Sequence, residues 1–114
     1  MTELTPGHRE LSGAFDALGV IAELVGEGRL EFDRSIDRRL ALVFLWANVG
    51  SQLKQYCRLV AIPPGIEPFA GPIQMRDKLV YGPISGIDPE LVWETCVVDG
   101  PELATYLSRL LSSW

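Results

Sequence analysis

The feature that most constrains this chain is the stretch from Asp33 to Ala61. It carries no proline or cluster of helix breakers, and it ends abruptly at Pro63-Pro64-Gly65. Such a stretch predicts one long helix starting near Asp33 or Ser35 and stopping where proline removes the backbone donor. At about 100° per residue, Ile36, Leu40, Val43, Phe44 and Ala47 fall on one face. Leu42, Leu45, Trp46, Val49, Leu53, Tyr56 and Val60 fall on the opposite face. A helix with two opposed apolar faces has two surfaces to bury. In a short chain one goes to the chain's own bundle, and the other is expected to meet a second copy. The expected dimer interface is Leu42, Trp46, Val49, Leu53 and Tyr56. A fully buried central helix is the alternative. Past Ala47 the first face turns polar and basic, through Ser51, Lys54 and Arg58.

Other helices follow from the same periodicity. Helix one should run from about Arg9 to Leu24 or Val25 and end at Gly26-Glu27-Gly28, where glycine tolerates the left-handed turn. After the proline-rich connector 62–71, Gly71-Pro72 opens a helix to about Tyr81, stopped by Gly82-Pro83. Asp88 and Pro89 read as N-cap and first helical residue of a fourth helix. Asp99 and Glu102 have capping-box spacing for a fifth. Strand signals are weak, because β-branched and polar residues never alternate cleanly. The expectation is one domain over residues 1–114: an all-α, antiparallel bundle of four to five helices, dimeric through the long second helix.

Several function classes recede. No apolar run reaches the roughly eighteen residues of a membrane span. The N-terminal stretch has Glu3 and Glu10 and no apolar core, so no secretory signal is expected and cytoplasmic residence is the default. Cys57 and Cys96 lack metal-ligand or redox spacing and read as free thiols. His8 is the only histidine, which leaves little for a metal site or a histidine-based catalytic unit. No metal and no cofactor are expected. The net charge of −5 opposes general nucleic-acid affinity. Its distribution is uneven: residues 1–33 carry −5, residues 34–78 carry +4 and residues 79–114 carry −4. The basic middle either pairs with its acidic flanks inside one bundle or forms an anion-binding face.

The segment before Gly82-Pro83 holds the strongest site candidate. Arg76 lies near the core side of a short helix, and a buried guanidinium needs a partner. Asp77 points about 100° away and is not the obvious one; Ser51 and helix-end carbonyls are candidates. A purely structural Arg76 is one reading. The other comes from resemblance. The run PIQMRDKLVYGPISGIDPELVWETCVVDGPELATYLSRLL resembles the C-terminal half of HepT-like proteins, in the HEPN superfamily of small helical RNA-cleaving proteins. That family reads Arg, often Asn or Asp, an apolar spacer, then His-x-Tyr, followed by an Ile/Val-Asp and a Leu-Val-Trp helix. Arg76-Asp77, Leu79-Val80, Ile87-Asp88 and Glu90-Leu91-Val92-Trp93 match. Upstream, Asp37 to Gln55 resembles the family's second helix, with Gly50-Ser51 where Gly-Glu is common.

The resemblance implies a ribonuclease toxin and a nucleotidyltransferase antitoxin that modifies the motif tyrosine. Here the histidine position is Tyr81, the tyrosine position is Pro83 and the second-helix acid is Ser51. Histidine titrates near pH 6.5 and suits proton transfer; an ordinary tyrosine, near 10, does not. Arginine still holds a phosphate bidentately. The leading expectation is therefore a weakened or inactive member that binds RNA, a nucleotide or the antitoxin-type partner through Arg76, Lys54, Arg58 and Lys78. Two alternatives stay open. One is an active ribonuclease using Arg76, Asp77 and Tyr81; the other is a non-catalytic helical interaction module.

Overall fold

The computed structural model describes residues 6–82 and 86–113, with the side chains of Val80 and Tyr81 outside that description. It is an all-α helical bundle. Helix α1 spans His8–Val25, α2 Arg29–Arg34, α3 Ile36–Leu59, α4 Ala70–Tyr81, α5 Pro89–Glu94 and α6 Gly100–Ser112. A π-helical turn, Thr95–Asp99, joins α5 to α6.

The long helix begins where a cap is available. The Ser35 hydroxyl accepts from the Arg38 N–H at 3.1 Å, and Asp37 supplies an acid in the first turn. It lies centrally, packing against α1 on one side and α4 on another. Its buried stripe is Leu42, Trp46, Val49, Leu53, Tyr56 and Cys57, which meets Leu11, Ala14, Leu18 and Ile21 of α1 and Leu103 and Leu107 of α6 in one core. This corrects the expected dimer interface. Leu42, Trp46, Val49, Leu53 and Tyr56 all point into the chain's own bundle, where burying each large side chain contributes about 1.5–3 kcal/mol. The face left outward is the other one: Ile36, Leu40 and Phe44 are 62%, 47% and 70% exposed.

Two glycines set the packing around α3. Gly7, at φ 88°, turns the chain into α1, and a side chain there would sit 2.6 Å from the Tyr56 ring. Gly50 lets α4 cross α3 closely: a Cβ would lie 2.2 Å from the Arg76 Cβ and 2.6 Å from the Pro72 carbonyl oxygen. The start of α4 is pinned by Phe69, buried between Tyr56 and Tyr106 with ring centroids at 5.6 and 6.0 Å.

The C-terminal third departs from expectation. The Asp88 carboxylate caps α5 by accepting from the Glu90 N–H at 2.9 Å, as its sequence implies. Asp99 caps nothing; it is helical, and no capping box forms with Glu102. The Gly100 N–H instead donates to the Thr95 carbonyl. Pro101 has no N–H and its ring crowds the preceding turn, and the wider π turn just before it absorbs both effects. The helical path therefore runs on from Pro89 to Ser112 rather than breaking into two capped helices. Helix α2, too short to show a period, was not foreseen. Arg39 caps its end, donating to the Phe32 and Asp33 carbonyls at 3.0 and 2.7 Å.

Candidate anion-binding site

The basic middle of the sequence divides in space. Its first part is consumed by pairing: Arg38 bonds Glu27 and lies 3.7 Å from Glu31, while Arg39 caps α2. Its second part gathers around the crossing of α3 and α4. There Ser51, Lys54, Gln55, Arg58 and Arg76 line an open cleft of about 530 Å³, with Cys57 and Ile62 at its inner side.

The crossing explains the grouping. Ser51, Lys54 and Arg58 recur on one side of α3 at helical spacing, and the missing side chain at Gly50 brings the Arg76 stem directly against that helix. The Arg76 Nε donates to the Ser51 hydroxyl at 3.0 Å. Its Nη1 donates to Asp77 Oδ1 at 2.9 Å. The Ser51 partner was expected; the Asp77 partner was not. Helical direction alone argued against Asp77, but the long arginine side chain spans the gap that separates neighbouring residues on a helix. Lys54 Nζ approaches the same Asp77 oxygen at 3.9 Å. Three cationic side chains thus face one nearby carboxylate, and the cleft keeps a net positive field inside a chain of net charge −5. The guanidinium is held from two sides, with its side chain only 20% exposed.

The cleft lacks a group suited to moving a proton near neutral pH. No histidine lines it; His8 is at the start of α1. Cys57 lines it, but burial pushes its thiol up and keeps it protonated. Tyr81 is the last residue of α4, and its side chain lies outside the described residues, as does Pro83. Among the described residues no group of three or more His, Cys, Asp or Glu side chains is placed to hold a metal ion. No helix among them is long and apolar enough to cross a membrane.

Lys78 does not belong to this cleft. Two residues beyond Arg76 is about 200° around the helix, and Lys78 lines a separate cleft on the other side of α4 with Trp46, Glu67 and Glu102. Sequence reasoning also missed Gly50 as the seat of the arginine. Its signal was present: a glycine in mid-helix costs about 1 kcal/mol relative to alanine and so asks for a packing reason. No family model, curated protein or solved structure matches the chain.

Proposed function

We propose that this chain is a HepT-like protein that binds the phosphate groups of RNA or a nucleotide without efficient cleavage. The observation that carries the reading is the cleft itself, with Arg76 braced by Ser51 and Asp77 and flanked by Lys54 and Arg58. A planar, pre-positioned guanidinium with two further cations suits phosphate oxygens. Cleavage through 2′-hydroxyl attack also needs a proton acceptor or donor near neutral pH, and the motif position that would supply it is Tyr81. Modification of the family's motif tyrosine by a nucleotidyltransferase has no target at Pro83, so such a partner would act here by binding alone.

The homodimer belongs to the same proposal on a different surface. Ile36, Leu40 and Phe44 recur every four residues along α3 and stay outside the chain's core, an apolar stripe of the kind that marks interfaces. A second copy is the occupant we propose. Sedimentation at micromolar concentration tests it: a species of twice 12.6 kDa that Phe44→Glu dissociates is expected, and a monomer alone would contradict it.

The test of the main reading is incubation of purified protein with a mixed RNA pool, beside Arg76→Ala and Tyr81→His. Retention of RNA without cleavage is expected, weakened in Arg76→Ala. Wild-type cleavage that disappears in Arg76→Ala would instead establish an active ribonuclease. Failure to retain RNA or nucleotide at all would reduce Arg76 to a packing role.

A further inference from the structure

The cleft on the far side of α4 has a different chemistry. It is open, about 450 Å³, within the range of small-molecule sites. Its inner wall is apolar and aromatic, with Trp46, Met75, Leu103 and Tyr106. Its rim carries Glu67, Asp99 and Glu102 against the single cation Lys78. Among the described residues none of these four charged side chains forms an ion pair. Carboxylates left without cations around an apolar recess favour a positively charged guest with an apolar body.

A second observation is independent of the acids. Trp46 is 2% exposed, and its indole nitrogen is buried with no hydrogen-bond partner. An indole N–H is a donor only, and leaving it unmet in the interior costs about 1–3 kcal/mol. Trp46 lines this cleft, so an acceptor arriving there meets that need. The π turn supports the assignment. Both of its ends, Thr95 and Asp99, line the same cleft, and π turns within helices recur at functional sites.

We propose that this cleft binds a small organic ammonium that also carries a hydroxyl. The cationic end sits among Glu67, Asp99 and Glu102, its methyl or methylene surface lies on Met75 and Tyr106, and its hydroxyl oxygen accepts from the Trp46 indole. This site is independent of the phosphate cleft and of the family reading.

The test uses choline as probe and its uncharged isostere, 3,3-dimethyl-1-butanol, as control. Titration is followed by the indole N–H resonances of the full chain, with Trp46→Phe assigning the signal. Choline is expected to shift the Trp46 signal saturably, with the isostere at least tenfold weaker. The pair Asp99→Asn and Glu102→Gln, both on exposed rim positions, is expected to weaken choline about tenfold. Equal binding of the isostere, an unchanged affinity in the double variant, or no saturable shift would overturn the proposal. A lysine-containing peptide binding tenfold tighter than choline would also overturn it, in favour of a protein partner.

Discussion

The two sides of α4 differ in nearly everything except their distance along the chain. One side presents Arg76 to Ser51, Lys54 and Arg58, around a cleft with excess positive charge. The other presents Met75 and Lys78 to Trp46 and a rim of three carboxylates. Residues 75, 76 and 78 are near neighbours in sequence, yet a helix sends them to separate surfaces. The local charge around a site is therefore set by which helices meet there, and the overall −5 describes neither side.

That division rests on α3, and the most damaging change should be one that empties its inward face. Leu53 is fully buried, so Leu53→Ala is expected to cost about 2–5 kcal/mol in urea unfolding, independent of protein concentration. A cost that depends on concentration would return Leu53 to an interface. Gly50→Ala attacks the crossing itself. The new methyl meets the Arg76 stem and the Pro72 carbonyl, and about 3 kcal/mol of destabilisation is expected from overpacking, with both clefts disturbed. A change within about 0.5 kcal/mol would mean α3 and α4 do not cross as described.

Finer effects sharpen the contrast. The thiols should be nearly silent in the native protein. Burial pushes Cys96 up to about 12 and raises Cys57 as well, so alkylation at neutral pH should be at least ~100-fold slower than in urea. Fast native labelling of Cys57 would show that the basic cleft, rather than burial, governs it.

The smallest expected effect lies away from both clefts, where Arg29 ties α2 to α5. Its guanidinium donates to Glu90 and, at 2.9 Å, to Asp33, and it sits over the rings of Phe32 and Trp93. The bond from Arg29 holds the Glu90 carboxyl below its usual range. A depressed carboxylate stabilises the fold above its unfolded pKa, near 4.3, and loses that contribution as the pH falls through its folded value. Glu90→Gln should therefore lower the melting temperature slightly at pH 7, with the difference from wild type fading under acid. A difference constant down to pH 2 would point to packing instead.

The helix count and most boundaries were legible because α1 and α3 are long enough to show a period and are bounded by glycine, serine or proline. Which face of α3 turns inward was not legible. Both faces are apolar, and the decision comes from α1 and α6, whose leucines meet Trp46 and Leu53 rather than Phe44. The continuous run through Asp99 was hidden for another reason. Asp-Gly-Pro-Glu carries a strong local start signal, but the π turn settles Pro101 without ending the helix. At the site, Arg76 with Ser51 was foreseeable from helical geometry. Lys78 was misplaced because nearness in sequence stood in for direction around the helix. Gly50 was passed over because a missing side chain shows its purpose only when another helix fills the space.

The most direct test of the central claim compares two lysines on opposite sides of α4. Binding of a short oligouridine is measured across a range of salt for wild type, Lys54→Ala and Lys78→Ala. With three cations in the cleft, the wild-type salt slope should be about −2. Lys54→Ala should weaken binding several-fold and reduce that slope by about 0.7, while Lys78→Ala leaves both nearly unchanged. Equal losses in the two variants, or a larger loss in Lys78→Ala, would contradict the assignment of phosphate binding to the Arg76 side.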